Sequence, residues 1–175
     1  MEYKITFKNQ IKALRRFIFG SLLYYGIFYF FYQNGIYEIY PLIVLIVFFL
    51  VLVFPALLLN IEYYLINKNS VVDINTITKT VSFNNHQSII FSKIEKVTLV
   101  MSPVLYRNGS NLVTAFDNYH YALLKMKDGE EFFFTSLMTP KVEDAFKEIS
   151  GVPIEKKRCF IASPLLLRCW HYLWD

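Results

Sequence analysis

The sequence predicts an α+β membrane protein: a two-helix transmembrane hairpin followed by an antiparallel β-barrel or sandwich of about seven strands, capped by a C-terminal helix. Three observations lead there. Residues 17–59 are almost unbroken apolar sequence, interrupted once by Gln33-Asn34-Gly35. Residues 61–136 are a succession of short alternating segments separated by turn residues. The period then changes from two to that of a helix over residues 139–149.

Residues 1–16 form a basic arm, with Lys4, Lys8, Lys12, Arg15 and Arg16 opposed only by Glu2. The first apolar run, 17–32, is relieved only by Gly20, Ser21 and Gly26, and Tyr24, Tyr25, Tyr29 and Tyr32 suit an interfacial belt. The second, 42–59, is uncharged and contains Pro55; counting residues 39–41 brings it to the roughly 20 residues a bilayer requires. Neither run shows a polar face, as a helix of a water-soluble bundle would. Nothing after Phe31 resembles the small-residue cleavage site of a signal peptide. The connector 33–40 holds no Lys or Arg and one acid, Glu38, so the positive-inside rule places both termini in the cytoplasm and the connector outside.

About 115 residues remain for a soluble part, an ordinary single-domain size. Of the 18 basic and 14 acidic residues, the stretch after residue 59 holds 13 and 12, a near-neutral balance that argues against nucleic acid. Cys159 and Cys169 have no partner pair of Cys or His for a zinc site and are read as reduced.

Taken in order, residues 61–67 leave the membrane as β-prone sequence and stop at Asn67-Lys68-Asn69-Ser70. Residues 71–75, 79–83 and 87–91 follow as short strands, and 94–101 places Val97, Leu99 and Met101 on one face. Residues 103–118 hold Pro, Gly, two Asn and a Ser before the final residue and read as a long loop. Residues 119–127 alternate again, Asp128-Gly129 is a hairpin turn, and 131–136 is the last strand. Thr139 is a credible N-cap with Pro140 at the first helical position; Val142, Ala145, Phe146 and Ile149 then share a face before Gly151 and Pro153 stop the helix. The domain is bounded at 60–151.

Residues 152–175 form a basic and amphipathic tail. Lys156-Lys157-Arg158 runs toward a segment in which, if 164–175 is helical, Leu166, Trp170, Leu173 and Trp174 share a face. Such a tail either lies on the membrane surface or packs on the sheet or spans. Arg15, Arg16, Lys156, Lys157, Arg158, Trp170 and Trp174 are the membrane-contact candidates.

Two spans leading into Tyr63-Tyr64-Leu65-Ile66-Asn67, Val72-Asp73-Ile74-Asn75 and Ile89-Ile90-Phe91-Ser92-Lys93-Ile94, then a helix, resemble bacterial membrane-anchored proteins with a pleckstrin-homology-like (PH-like) domain. The resemblance covers roughly residues 17–150 and implies a PH-like fold. Phosphoinositide-binding relatives carry several Lys and Arg around the first two strands. Here Lys68 and Asp73 occupy those places, so headgroup recognition there is not implied.

No catalytic constellation is present. His86, His120 and His171 are dispersed, no phosphate-binding or nucleophile motif occurs, and the spans lack the ionisable residues that mark transport paths. The expectation is a non-catalytic scaffold without cofactor or metal, whose partners are the lipid bilayer and a protein; self-association is compatible with the pattern. Tyr106, Arg107 and Phe116 are the candidate anchors for a protein partner. The alternatives are an immunity protein neutralising a membrane-targeting toxin, and anionic-lipid sensing through the tail.

Overall fold

A computed structural model describes residues 1–35, 39–84, 87–107, 114–147, 149 and 151–166. Its first strand, β1 (Glu2–Lys4), precedes all of the apolar sequence. Helix α1 (Phe7–Gln33) starts at Thr6, whose hydroxyl accepts from the Asn9 N–H at 3.2 Å, and ends at Asn34. Helices α2 (Ile39–Leu52) and α3 (Phe54–Asn67) follow as one rod with a break at Val53. Pro55 lacks an N–H, and the Ala56 N–H bonds the Val53 carbonyl instead, at 3.1 Å. The Leu52 carbonyl is thereby left without its helical donor and accepts from Ala115 N–H at 3.3 Å.

The rod runs antiparallel to α1: Tyr24 meets Phe49 edge-on with centroids 5.5 Å apart, and Gly20 lies against Val53. A Cβ on Gly20 would lie 3.2 Å from a Val53 methyl, so glycine permits the close approach at the break. Of the described helices one, Ile39–Asn67 at 29 residues, is long and apolar enough to cross a membrane. Helix α1 is long enough, but its four tyrosines and flanking charges dilute its apolar character.

The strands form two four-stranded sheets, ordered β1-β2-β3-β4 and β7-β6-β5-β8. The first contains β2 (Val71–Asn75), β3 (Thr80–Phe83) and β4 (Gln87–Ile90); the second contains β5 (Ile94–Met101), β6 (Tyr121–Met126), β7 (Glu131–Thr135) and β8 (Ile154–Arg158). Alternation along β5 and β6 sends Val97, Leu99, Met101, Ala122, Leu124 and Met126 into a core shared with Val72, Ile74 and Val81 of the first sheet. Helix α5 (Val142–Lys147) closes that core with Val142, Ala145 and Phe146, and Ile149 joins them. The Asp128-Gly129 turn connects β6 and β7, with Gly129 at φ 91°.

Three sequence expectations are corrected. The strand expected over residues 61–67 is the second half of α3. Ala56, Leu59, Asn60, Tyr63 and Asn67 recur at helical spacing and are all buried. They cover the outer face of the second sheet, where Val100, Tyr121 and Leu137 form a second core with Ala56, Leu59 and Tyr63. Over β5 and β6 that sheet is therefore covered on both faces. Secondly, Glu2–Lys4, counted with the basic arm, pairs antiparallel with β2 as the opening strand of a sheet. Thirdly, residues 154–158, counted with the tail, are an edge strand parallel to β5, Val97 facing Ile154 and Met101 facing Arg158. The long loop is also partly ordered: Pro103–Tyr106 is a short helix, α4, capped by Ser102.

Candidate functional site

Elements far apart in sequence converge beside the base of α1. Asn9 donates from Nδ2 to the Met138 carbonyl at 2.9 Å, fixing α1 against the connection between β7 and α5. Ser102 Oγ accepts from Leu105 N–H at 3.3 Å and donates to the Asp117 carbonyl at 3.1 Å, so α4 is held at the same edge. Between them opens a groove with Leu105, His120 and Pro140 along its floor and Lys12 of α1 at one side. It widens toward Val142, Glu143 and Lys147 of α5 into a cavity of about 440 Å³.

His120 is tied to the main chain from two directions. Its Nδ1 lies 2.8 Å from the Asn118 carbonyl, and its backbone carbonyl accepts from Ser136 N–H at 2.9 Å. Burial pushes its pKa below the ordinary 6.5, opposed by the Asn118 carbonyl and the Glu143 charge. A neutral ring donating from Nδ1 to that carbonyl leaves Nε2 as an acceptor facing no described hydrogen-bond partner.

The charges at the wide end compensate one another. Glu143 lies 3.0 Å from Lys156 and 3.5 Å from Lys147, and Asp144 lies 2.8 Å from Lys147. Partial burial works to raise the Glu143 carboxyl; hydrogen bonding and charge from Lys156 and then Lys147 outweigh it and hold the group below its ordinary value. Lys12 has no ion pair among the described residues. The groove thus offers apolar walls, one acceptor nitrogen and one uncompensated cation. Among the described residues no three His, Cys, Asp or Glu side chains are grouped to hold a metal ion.

The expected anchors divide. Tyr106 is 42% exposed at the end of α4, one residue beyond the groove-lining Leu105, and Arg107 beside it is exposed. Phe116 is not an exposed anchor: it is 3% exposed, joins the core of α3 and stands edge-on to Phe160 at 5.6 Å. Its polar neighbours made the segment read as solvent-facing, whereas the freed Leu52 carbonyl pulls residues 114–117 onto the rod. Among the membrane-contact candidates, Arg15, Lys157 and Arg158 are exposed, Arg16 is half-buried, and Lys156 is drawn into the Glu143 pair. Trp170 and Trp174, with the amphipathic helix expected around them, lie outside the described residues. The dispersed histidines gave no signal for His120 in the sequence, and the groove had none either, because its walls come from residues 9–13, 105, 120 and 136–147 with no local motif.

A PH domain family profile matches residues 2–145, so the chain belongs to the PH domain family. The match takes in β1, all three long helices and strands β2 to β7, and ends within α5, before β8. No match was found among curated proteins or among solved structures. Membership in this family supports a binding or scaffold module.

Proposed function

We propose that this is a non-catalytic docking module of a bacterial-type inner membrane, with the α1 and α2–α3 helices as its anchor, both termini cytoplasmic and the PH-like domain presented to a protein partner. One observation carries this reading. Over α2 the rod is apolar and exposed, with Val44, Val47 and Val51 each more than half accessible, and over α3 its buried stripe is a wall of the domain. An apolar face of that extent requires a lipid or protein covering, and a rod without a polar face fits lipid. The charge bias from Lys4 to Arg16 supports the orientation.

The docking surface is the groove with its rim. Leu105, Pro140 and His120 suit an apolar side chain of the partner, and Lys12 and Arg107 suit a carboxylate beside it. The membrane reading is tested by alkaline extraction and by a reporter fused after Asp175: extraction without detergent, or reporter activity outside the cell, overturns it. The docking reading is tested by crosslinking and mass spectrometry in native membranes, comparing wild type with Tyr106→Ala/Arg107→Ala. Loss of two rim anchors should reduce partner recovery by about tenfold. Unchanged recovery removes this rim from the site.

A further inference from the structure

We infer that the segment following β8 is a second membrane contact, a foot whose Phe160 enters the cytoplasmic edge of the bilayer while Lys157 and Arg158 meet anionic headgroups. The inference rests on the membrane reading above and adds a contact that neither the spans nor the docking groove contains.

The first observation is exposure. Phe160 is 66% exposed, Leu165 58% and Leu166 51%, although the residues between them are fastened down. Tyr63 on α3 donates to the Ala162 carbonyl. The Glu62 carboxylate accepts from the Ser163 hydroxyl at 2.8 Å and from Leu165 N–H at 2.7 Å. These apolar side chains are therefore displayed by a segment anchored to the rod. Leu58 and Leu65, one turn to either side of Glu62, are also more than half exposed and extend the patch along α3.

The second observation is level. A span of roughly 20 residues beginning at Ile39 ends near Leu58. Helix α1 sets the same boundary independently: Gly20 faces Val53, so Arg16, about one turn toward the amino end, stands level with Leu57. Phe160 stacks edge-on against Phe116, which shares a core with Ala56 and Leu59. Phe160 is thus held at the height where the hydrocarbon gives way to headgroups.

The third is charge. Strand β8 runs parallel to β5 toward that boundary, with Arg158 at its leading end and Cys159 N–H bonded to the Met101 carbonyl at 2.9 Å. Lys157 and Arg158 are exposed, in no ion pair among the described residues, and immediately precede the aromatic residue. Basic residues flanking an apolar anchor are the pattern an anionic bilayer surface selects. A protein occupant of the patch would have to approach at the depth already filled by lipid. The lipid surface is therefore the occupant.

The test uses the full chain reconstituted in vesicles containing phosphatidylglycerol and a diazirine phospholipid, with light-induced adducts mapped by mass spectrometry. Adducts are expected on residues 39–52 and on Phe160, Leu165 and Leu166. Phe160→Asp/Leu165→Asp should reduce the second group about tenfold and leave the first unchanged, a control for folding. Lys157→Glu/Arg158→Glu should likewise weaken the second group in anionic but not in neutral vesicles. Adducts on 39–52 with none on 160–166, or labelling of Phe160 by a copurifying protein instead of lipid, overturns the foot alone. Absence of adducts from both regions overturns it together with the membrane reading.

Discussion

Tyr63 tests whether α3 is a structural wall of the domain. Its side chain is fully buried, its hydroxyl donates to the Ala162 carbonyl at 2.5 Å, and its ring meets Tyr119 and Tyr121 edge-on at 5.5 and 6.2 Å. Tyr63→Phe leaves that carbonyl unpaired in a buried site, which costs about 1–3 kcal/mol. Tyr63→Ala removes the ring as well and should cost about 3–5 kcal/mol through the cavity it leaves. Tyr64, 43% exposed, gives the contrast: Tyr64→Ala should cost below about 1 kcal/mol. A second pair separates helix from strand. Leu59→Ala, at a site 2% exposed, should cost about 2–5 kcal/mol, whereas Leu65→Ala, at a site 57% exposed, should cost little. Were residues 61–67 a strand, Leu65 would share the inward face with Tyr63 and both would matter equally. Urea unfolding of the detergent-solubilised chain gives the magnitudes. Hydrogen exchange over residues 159–166 shows whether Tyr63→Phe frees the segment bonded to it. Equal losses at Tyr63 and Tyr64, or undiminished protection of 159–166 in Tyr63→Phe, would refute the helix-on-sheet arrangement.

The remaining predictions concern the helix pair and the groove. Gly20→Leu should destabilise by about 1–3 kcal/mol, because Val53 occupies the space a side chain needs, and Val53→Ala in the same chain should recover part of the loss; urea midpoints of the single and double variants decide it. His120, held below its ordinary 6.5, contributes stability that is present above pH 6.5 and lost as pH falls through its lowered folded value. His120→Gln should therefore flatten the stability curve on the acid side of 6.5, measured by urea unfolding across pH. Glu143, also held low, contributes stability present above its ordinary 4.5 and lost as pH falls through the folded value. Lys156→Met removes the first-named of its cationic partners and should shrink that acid-range dependence without altering the His120 range.

Where one element faces one environment, its pattern was legible in the residues. The alternation of Val97, Leu99 and Met101, the Asp128-Gly129 turn and the Val142, Ala145, Phe146, Ile149 stripe each match the structure. Helix α3 was not legible because its stripe begins at Ala56, inside what reads as membrane sequence, and ends at Asn67, inside what reads as strand. A boundary at residue 60 cuts it in two, and the aromatic and β-branched remainder then resembles a strand. Strand β8, Ile154–Arg158, has no inward face: all five residues are exposed, and it is held to β5 by its main chain and by the Lys96–Glu155 pair at 3.2 Å. Alternation cannot report such an edge. The groove was hidden for another reason, since Lys12, Leu105, His120 and Pro140 become neighbours only when α1 is laid against the sheet.

The rod from Ile39 to Asn67 serves two surroundings without changing secondary structure, and Pro55 marks the exchange. Over Ile39–Leu52 every face is apolar and no side chain is buried, and Val53 at the break is the first to be covered. After it, the inward stripe acquires Asn60 and Asn67, whose amides donate to the Tyr119 hydroxyl at 3.1 Å and the Phe133 carbonyl at 2.9 Å. Those bonds fix both rotation and depth: a one-residue turn of α3 would swing the amides about 100° away from the sheet and bring Leu58 or Ile61 inward. Burial pushes the Tyr119 hydroxyl up to about 12 despite the Asn60 amide that favours its charged form, so it remains a neutral partner across the physiological range. Flexible tethering of the domain is incompatible with this wall. On the membrane reading proposed above, the groove beside α1 is consequently held at a set height and orientation, and a partner meets a surface already positioned by the bilayer.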